Sequence, residues 1–226
     1  MTKTILITGA NRGIGLALAD VYVKDGWSVI GTAREPSEAS DLTALGSVEV
    51  MALDVANQNS IKAMADALHE RPIDLLINNA GVMAPDEALT EVDAAAWQTA
   101  FAVNTIAPLQ VTAGLRSSLA HGGPGLAVVV TSIMGSIENT SSASYLSYRA
   151  SKAAANMVVR GLASDMRSVG VSVIAVHPGW VQTDMGGSGA HLSPAESAAA
   201  LKTFFGRVGS THSGGFYNID GSPLAW

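Results

Sequence analysis

Tyr148 and Lys152 stand four residues apart in the run Tyr148-Arg149-Ala150-Ser151-Lys152. On a helix that spacing places both side chains on one face. An ammonium beside a phenol lowers the phenol's pKa from about 10 toward neutrality. Such a tyrosine can serve as a general acid or base near physiological pH. Sixteen residues upstream, Ser132 follows the apolar run Leu126 to Thr131. At a strand tip its hydroxyl could donate to a substrate carbonyl oxygen. A lone Tyr-x-x-x-Lys is often an exposed helical pair, so its weight depends on what accompanies it.

A second group stands near the start of the chain. Thr8-Gly9-Ala10-Asn11-Arg12-Gly13-Ile14-Gly15 follows the strand-like run Thr4 to Thr8 and leads into an amphipathic stretch to about Asp25. Here Gly9 permits a sharp turn, Gly13 a close backbone approach to a pyrophosphate, and Gly15 close packing of helix on strand. The helix start then offers free N–H groups to the phosphates. Taken alone, three glycines after a strand also make an ordinary tight turn. A dinucleotide site for NAD carries an acid about 20 residues further on, for the ribose 2′-hydroxyl. This chain has Gly31-Thr32-Ala33-Arg34 there, and Arg12 inside the loop. Two guanidiniums suit a 2′-phosphate. The reading therefore favours NADP(H), with NAD(H) the alternative if both arginines are simply solvated. Asp54, after the third apolar run, stands where it could accept from an adenine amino group. Asn78-Asn79-Ala80-Gly81 ends the fourth run, as a structural turn, as the floor of the cofactor cleft, or as both.

These residues need a scaffold. Apolar runs at Thr4–Thr8, Trp27–Thr32, Val48–Leu53, Ile73–Asn78, Leu126–Thr131, Val171–Val176 and Phe216–Ile219 alternate with helical stretches. Most are continuous rather than alternating, as in strands covered on both faces. The pattern predicts an α/β, Rossmann-type, doubly wound and mainly parallel seven-stranded sheet in one domain, residues 1–226. Ser60–Glu70 reads as a helix with Ile61, Met64, Ala65 and Leu68 on one face. Glu91 to Leu119 reads as a long helix kinked at Pro108. Ser147 to Arg167 carries the Tyr/Lys pair, and Ser193-Pro194 starts another helix. The chain of 226 residues is 48% hydrophobic and 14% charged, with net charge −6, which argues against a nucleic-acid surface. It has no Cys, and its five His residues show no ligand spacing, so no metal site is expected. No apolar run approaches a membrane span or a signal peptide's core. The expectation is a soluble, cytoplasmic protein.

Taken together, these pieces resemble the short-chain dehydrogenase/reductase family from end to end. The matching residues are the Thr8–Gly15 loop, Asp54, Asn78–Gly81, Asn104, Ser132, Tyr148, Lys152 and Pro178-Gly179. Ser132–Ile137, Tyr148–Lys152 and His177–Gly187 resemble its C-factor/sniffer-like carbonyl reductase branch. The resemblance implies a catalytic tetrad of Asn104, Ser132, Tyr148 and Lys152. Tyr148 would exchange the proton, Ser132 orient the carbonyl, Lys152 hold the nicotinamide ribose and Asn104 hold a helix kink with a relay water. It implies cofactor contacts at Gly9, Asn11, Arg12, Gly13, Ile14, Gly15, Arg34, Asp54, Val55, Asn79, Ala80, Gly81, Tyr148, Lys152, Pro178, Gly179, Val181 and Thr183. It also implies a homodimer or homotetramer through the helices Glu91–Leu119 and Ser147–Arg167.

The Ser132 to Tyr148 interval is longer than the family's usual one. Tyr145 and Ser136 would restore it, but Tyr145 has Arg149, not Lys, four residues on. Ser132, unlike Ser136, precedes a Gly by three residues, and Glu138–Ser144 then reads as an enlarged loop shaping the substrate pocket. The glycine-rich stretch Met185–Ala190 reads as a short, flexible lid, with 184–195 and 133–147 setting specificity. The leading function is NADPH-dependent reduction of a ketone or aldehyde carbonyl, or the reverse alcohol oxidation, by hydride transfer with a Tyr proton donor. The alternatives are an NAD-linked alcohol dehydrogenase and a nucleotide-binding sensor with little turnover.

Overall fold

The apolar runs form strands because each side chain has a covered face to enter, whichever way it points. The computed structural model describes every residue except Met1, Glu87, Ala88 and Gly122. Seven strands, β1 Thr4–Ile7, β2 Ser28–Ala33, β3 Val48–Ala52, β4 Leu75–Asn78, β5 Leu126–Val130, β6 Ser172–Val176 and β7 Phe216–Tyr217, make one sheet in the order β3-β2-β1-β4-β5-β6-β7. Every pairing in it is parallel. Alternate residues of one strand enter different cores. Leu6 and Leu76 pack on one face, and Ile5, Ile7, Leu75 and Ile77 on the other.

One face is covered by α1 Gly13–Lys24 and α8 Pro194–Phe205, with the short α2 Ser40–Thr43 at its edge. The other is covered by α3 Gln58–Ala67, α5 Ala107–Gly114 and α7 Leu146–Met166. The order of the sheet reverses between β1 and β4. The crevice there is where a doubly wound sheet binds its ligand, and the loops after β1 and β4 open into it.

The element bounds shift where side chains cap. Asn57 accepts from the N–H groups of Asn59 and Ser60, so α3 starts before Ser60; Ile61, Met64 and Leu68 form its buried face as the spacing predicts. Ser193 and Glu196 form a reciprocal capping box on α8, with Pro194 in its first turn.

The expected helix Glu91–Leu119 is corrected. It begins at Ala94 behind an Asp93 cap and runs as α4 Ala94–Phe101, a π-turn over Ala102–Ile106, α5, and α6 Arg116–His121. The irregularity lies before Pro108, not at it. A proline ring collides with the carbonyl four residues back and offers it no N–H; here that carbonyl belongs to Asn104. The wider π-turn absorbs the conflict, with Ala107 N–H reaching back to the Ala102 carbonyl.

Candidate active site

At the phosphate end the sequence demands unusual backbone and gets it from glycine. Gly9 and Gly13 have φ of +64° and +55°, a region side chains disfavour. A Cβ on Gly15 would collide with the Gly9 carbonyl and the Asn79 side chain. The loop is stitched to the tip of β4 by Thr8, whose hydroxyl accepts from Asn79 N (3.0 Å) and Ala80 N (3.1 Å). Asn79 Nδ2 returns bonds to the carbonyls of Thr8 and Gly9, both at 3.0 Å. Asn78 points the other way, donating to Thr112 Oγ1 at 3.1 Å. The paired amides thus tie the tip of β4 to the glycine loop on one side and to α5 on the other.

Helix α1 starts at Gly13 with no side chain capping its first amides and no acid in its first turn. Those N–H groups, with the positive end of the helix dipole, are free for an anion. The residues fit a dinucleotide: the cradle beside Gly9, Gly13 and Gly15 is one that added side chains would fill. Val55 lines the same hollow as Thr8, Asn78 and Ala80. Asp54 turns one carboxylate oxygen to Ala56 N at 3.0 Å. Arg34 is exposed beyond β2. Arg12 is paired through Nη1 with the carboxylate of Asp184, both side chains being mostly exposed.

The chemical end is built from side chains that hold one another. Ser132, just past β5, accepts from Met134 N at 3.1 Å. Its side chain lies by the phenol of Tyr148, on the first turns of α7, and favours the ionised form there. Lys152, one turn further on, is buried, with Nζ 5.7 Å from the Tyr148 ring centroid and 2.9 Å from the Val130 carbonyl. Burial pushes the Tyr148 phenol above its ordinary 10.0, and Ser132 pulls only partly back. Burial also lowers Lys152 from 10.5 to about 8. The expected net lowering of the Tyr148 pKa is therefore corrected: removing the phenolate from water is the largest effect, and what opposes it comes from Ser132.

Asn104 sits in the π-turn and is fully engaged. Its Oδ1 accepts from Val82 N and its Nδ2 donates to Val82 O, both at 2.9 Å, and to Ser151 Oγ at 3.0 Å. Ser151 Oγ in turn donates to the Tyr148 carbonyl at 2.8 Å. Gly81 lies against both groups; a Cβ there would stand 3.2 Å from Asn104 Oδ1 and 3.6 Å from Lys152 Nζ. Sequence reading did not assign Thr8 or Ser151 these tasks, although both stand inside the motifs that were read.

After β6, Gly179 turns with φ +84°, and the Pro178 carbonyl accepts from Ser197 Oγ at 2.7 Å. Val181 bridges Leu192, and Thr183 Cγ2 would be 3.2 Å from a Cβ on Gly13, which brings the lid root against the glycine loop. The glycine-rich stretch Met185–Ala190 is better tied than its composition suggests. Trp180 Nε1 donates to Gly186 O at 2.9 Å, Gly187 N to Thr183 O at 2.9 Å, and Gln182 Nε2 to Ala190 O at 3.0 Å. Ser136 and Tyr145 are placed apart from this chemistry, in contacts of the loop described below.

This geometry has counterparts. Residues 3–191 match the family model described as short chain dehydrogenase. The chain belongs to that family. It is 38% identical over 166 residues to C-signal of Myxococcus xanthus, covering 74% of this chain and all of that protein. Among solved structures, the carbonyl reductase Sniffer of D. melanogaster superposes with a TM-score of 0.93 at 28% identity, over all of both chains. An NADPH-bound carbonyl reductase from chicken fatty liver gives 0.93 at 31% identity, over all of this chain and 99% of that one. The protein is accordingly a short-chain oxidoreductase with carbonyl reductases as structural neighbours. Among the described residues, no helix is long and apolar enough to cross a membrane, and no three acidic or imidazole side chains cluster to hold a metal ion.

Proposed function

We propose that this protein is an NADPH-dependent reductase of apolar ketones or aldehydes. The observation that carries the reading is the buried Ser132, Tyr148 and Lys152 cluster beside the glycine loop. When bound, the cofactor would supply hydride to the carbonyl carbon. The N–H groups at the start of α1 would hold its pyrophosphate, Arg34 and Arg12 its 2′-phosphate, Asp54 its adenine, Lys152 its nicotinamide ribose, and Val181 and Thr183 its carboxamide.

Ser132 Oγ would orient the carbonyl oxygen and Tyr148 Oη would give it a proton. A phenol whose pKa burial has raised keeps that proton at neutral pH, which suits reduction. Asn104 would act through the π-turn, since its amide is spent on Val82 and Ser151. Its backbone carbonyl, denied an N–H by Pro108, is the group left to hold a relay water. The NADPH-bound neighbour supports the cofactor choice. Ile133, Ile137, Leu146, Trp180 and Met185 are exposed around the two specificity loops, and they support an apolar substituent on the substrate. The family resemblance adds a homodimer or homotetramer, and exposed Ile106, Leu109 and Met157 stand on the helices it would use.

Tyr148→Phe tests the reading. Its turnover of ketones, aldehydes and diones, followed as loss of NADPH absorbance with NADH alongside, should fall about 10²- to 10⁴-fold. Its NADPH dissociation constant should stay within about twofold of wild type. Retained turnover would remove Tyr148 as the proton donor.

A further inference from the structure

The stretch between Ser132 and Tyr148 is longer than the family's usual interval, and residues 137–146 are all exposed. Much of its bonding is internal. Ser136 Oγ accepts from Asn139 N at 3.2 Å and Nδ2 at 2.9 Å, and Thr140 Oγ1 donates to the Ser136 carbonyl at 2.7 Å. Among the described residues, hydrogen bonds near each end tie it to distant parts of the chain. At the first, the Ser136 hydroxyl and Glu138 N–H donate to the Trp226 carbonyl, at 3.3 and 2.9 Å. The Trp226 indole is itself stacked on Phe216 of β7.

At the second, Tyr145 N–H donates to Asp86 Oδ1 at 2.7 Å. Tyr145 has φ +54° and ψ +40°, the left-handed conformation that a bulky side chain adopts only when its surroundings hold it there. It is the last residue before α7. Its carbonyl accepts from Arg149 N at 2.9 Å, and Arg149 Nε donates to the Ser144 carbonyl at 2.8 Å. Three residues later comes Tyr148. Asp86 belongs to the same loop after β4 as Gly81 and Val82, the residues that meet Asn104. One carboxylate thus joins the cofactor floor, the end of the substrate loop and the start of the catalytic helix.

We propose that Asp86 is a positioning residue for substrate selectivity. By holding the Tyr145 turn it closes the 136–145 loop beside the carbonyl site, so that a large substituent gains contacts that a small one does not reach. Binding energy from parts of a substrate remote from the reacting atoms is what such a loop supplies. The selectivity claim rests on the carbonyl-reductase reading; the anchoring claim does not.

The test uses the full chain as wild type, Asp86→Ala and Asp86→Asn, since asparagine keeps the Oδ1 acceptor. With NADPH, kcat/KM is measured for acetophenone and for propanal, and hydrogen exchange is followed at the Tyr145 amide. For Asp86→Ala the acetophenone-to-propanal ratio should fall about tenfold, the loss expected of one charge-assisted hydrogen bond. NADPH affinity should be unchanged and Tyr145 exchange about tenfold faster. Asp86→Asn should restore both the ratio and the protection to within about threefold of wild type. An unchanged ratio in Asp86→Ala, or an equal loss in both variants, overturns the proposal. If wild type reduces no carbonyl, the proposed function falls. Exchange then decides the anchor: faster in Asp86→Ala and restored in Asp86→Asn supports it, and equal protection throughout overturns it.

Discussion

The two ends of the crevice are made of different material. At the proposed phosphate end the groups on offer are backbone: uncapped amides at the start of α1 and two left-handed glycines, fixed by Thr8 and Asn79. At the chemical end they are side chains: Asn104, Ser151 and the Tyr148 carbonyl are joined in sequence, with Ser132 at the Tyr148 phenol and Lys152 held to the Val130 carbonyl. A backbone site tolerates most substitutions except at its glycines. A side-chain network fails wherever it is cut, and its losses do not add.

Lys152→Met should break the chemical end most severely. Turnover should fall about 10²- to 10⁴-fold, while thermal unfolding of the cofactor-free protein moves to higher temperature, because a buried ammonium with one carbonyl partner costs stability. A lower Tm would mean that the bond to Val130 outweighs that cost. The wild type should show the same cost through pH. The folded state holds the Lys152 proton only to about 8, whereas its ordinary value is 10.5. Between these limits the unfolded chain binds more protons, so this residue's contribution to stability rises with pH. The kcat/KM of reduction should fall over the same rise through about 8, where Lys152 loses its charge.

At the phosphate end the effects are smaller and cofactor-selective. Arg34→Ala should weaken NADPH about 10- to 100-fold, by loss of charged hydrogen bonds, and leave NADH nearly unchanged. Titrations showing equal losses would remove the 2′-phosphate contact. Smallest is Asp184→Asn. Both partners of the Arg12–Asp184 pair are mostly exposed, at 66% and 76%, so freeing Arg12 should tighten NADPH by no more than about fivefold. An unchanged dissociation constant would show that Arg12 is not recruited to the phosphate.

Most of the phosphate end was legible in the sequence because glycine carries its reason locally: the turn at Gly9 and the close packing at Gly15 need no knowledge of distant chain. The strands were legible for a similar reason, since a sheet covered on both faces writes itself as continuous apolar runs. Tyr148 and Lys152 were legible as a pair through helical spacing. Their protonation was not, because desolvation depends on everything packed around them. The break in the helix was foreseen from Pro108 and, by resemblance, at Asn104, whose carbonyl takes the clash and which lies in the π-turn. The partners of Arg12, Tyr145 and Trp226 could not be read, as each contact joins residues that only the completed fold brings together.

The order of the sheet also has a consequence in time. The pairings among its seven strands are all parallel, so each must close a crossover before it is rewarded. Among the neighbours, β1 and β4 are the most distant, joining Ile5 to Leu75. That pairing is also the one that sets Thr8 against Asn79 and opens the crevice. Chains dominated by such non-local contacts fold slowly, because the entropy of closing each loop comes first. The hollow beside Thr8 is therefore completed only when β1 and β4 meet. Recovery of NADPH binding during refolding should lag the recovery of helix signal.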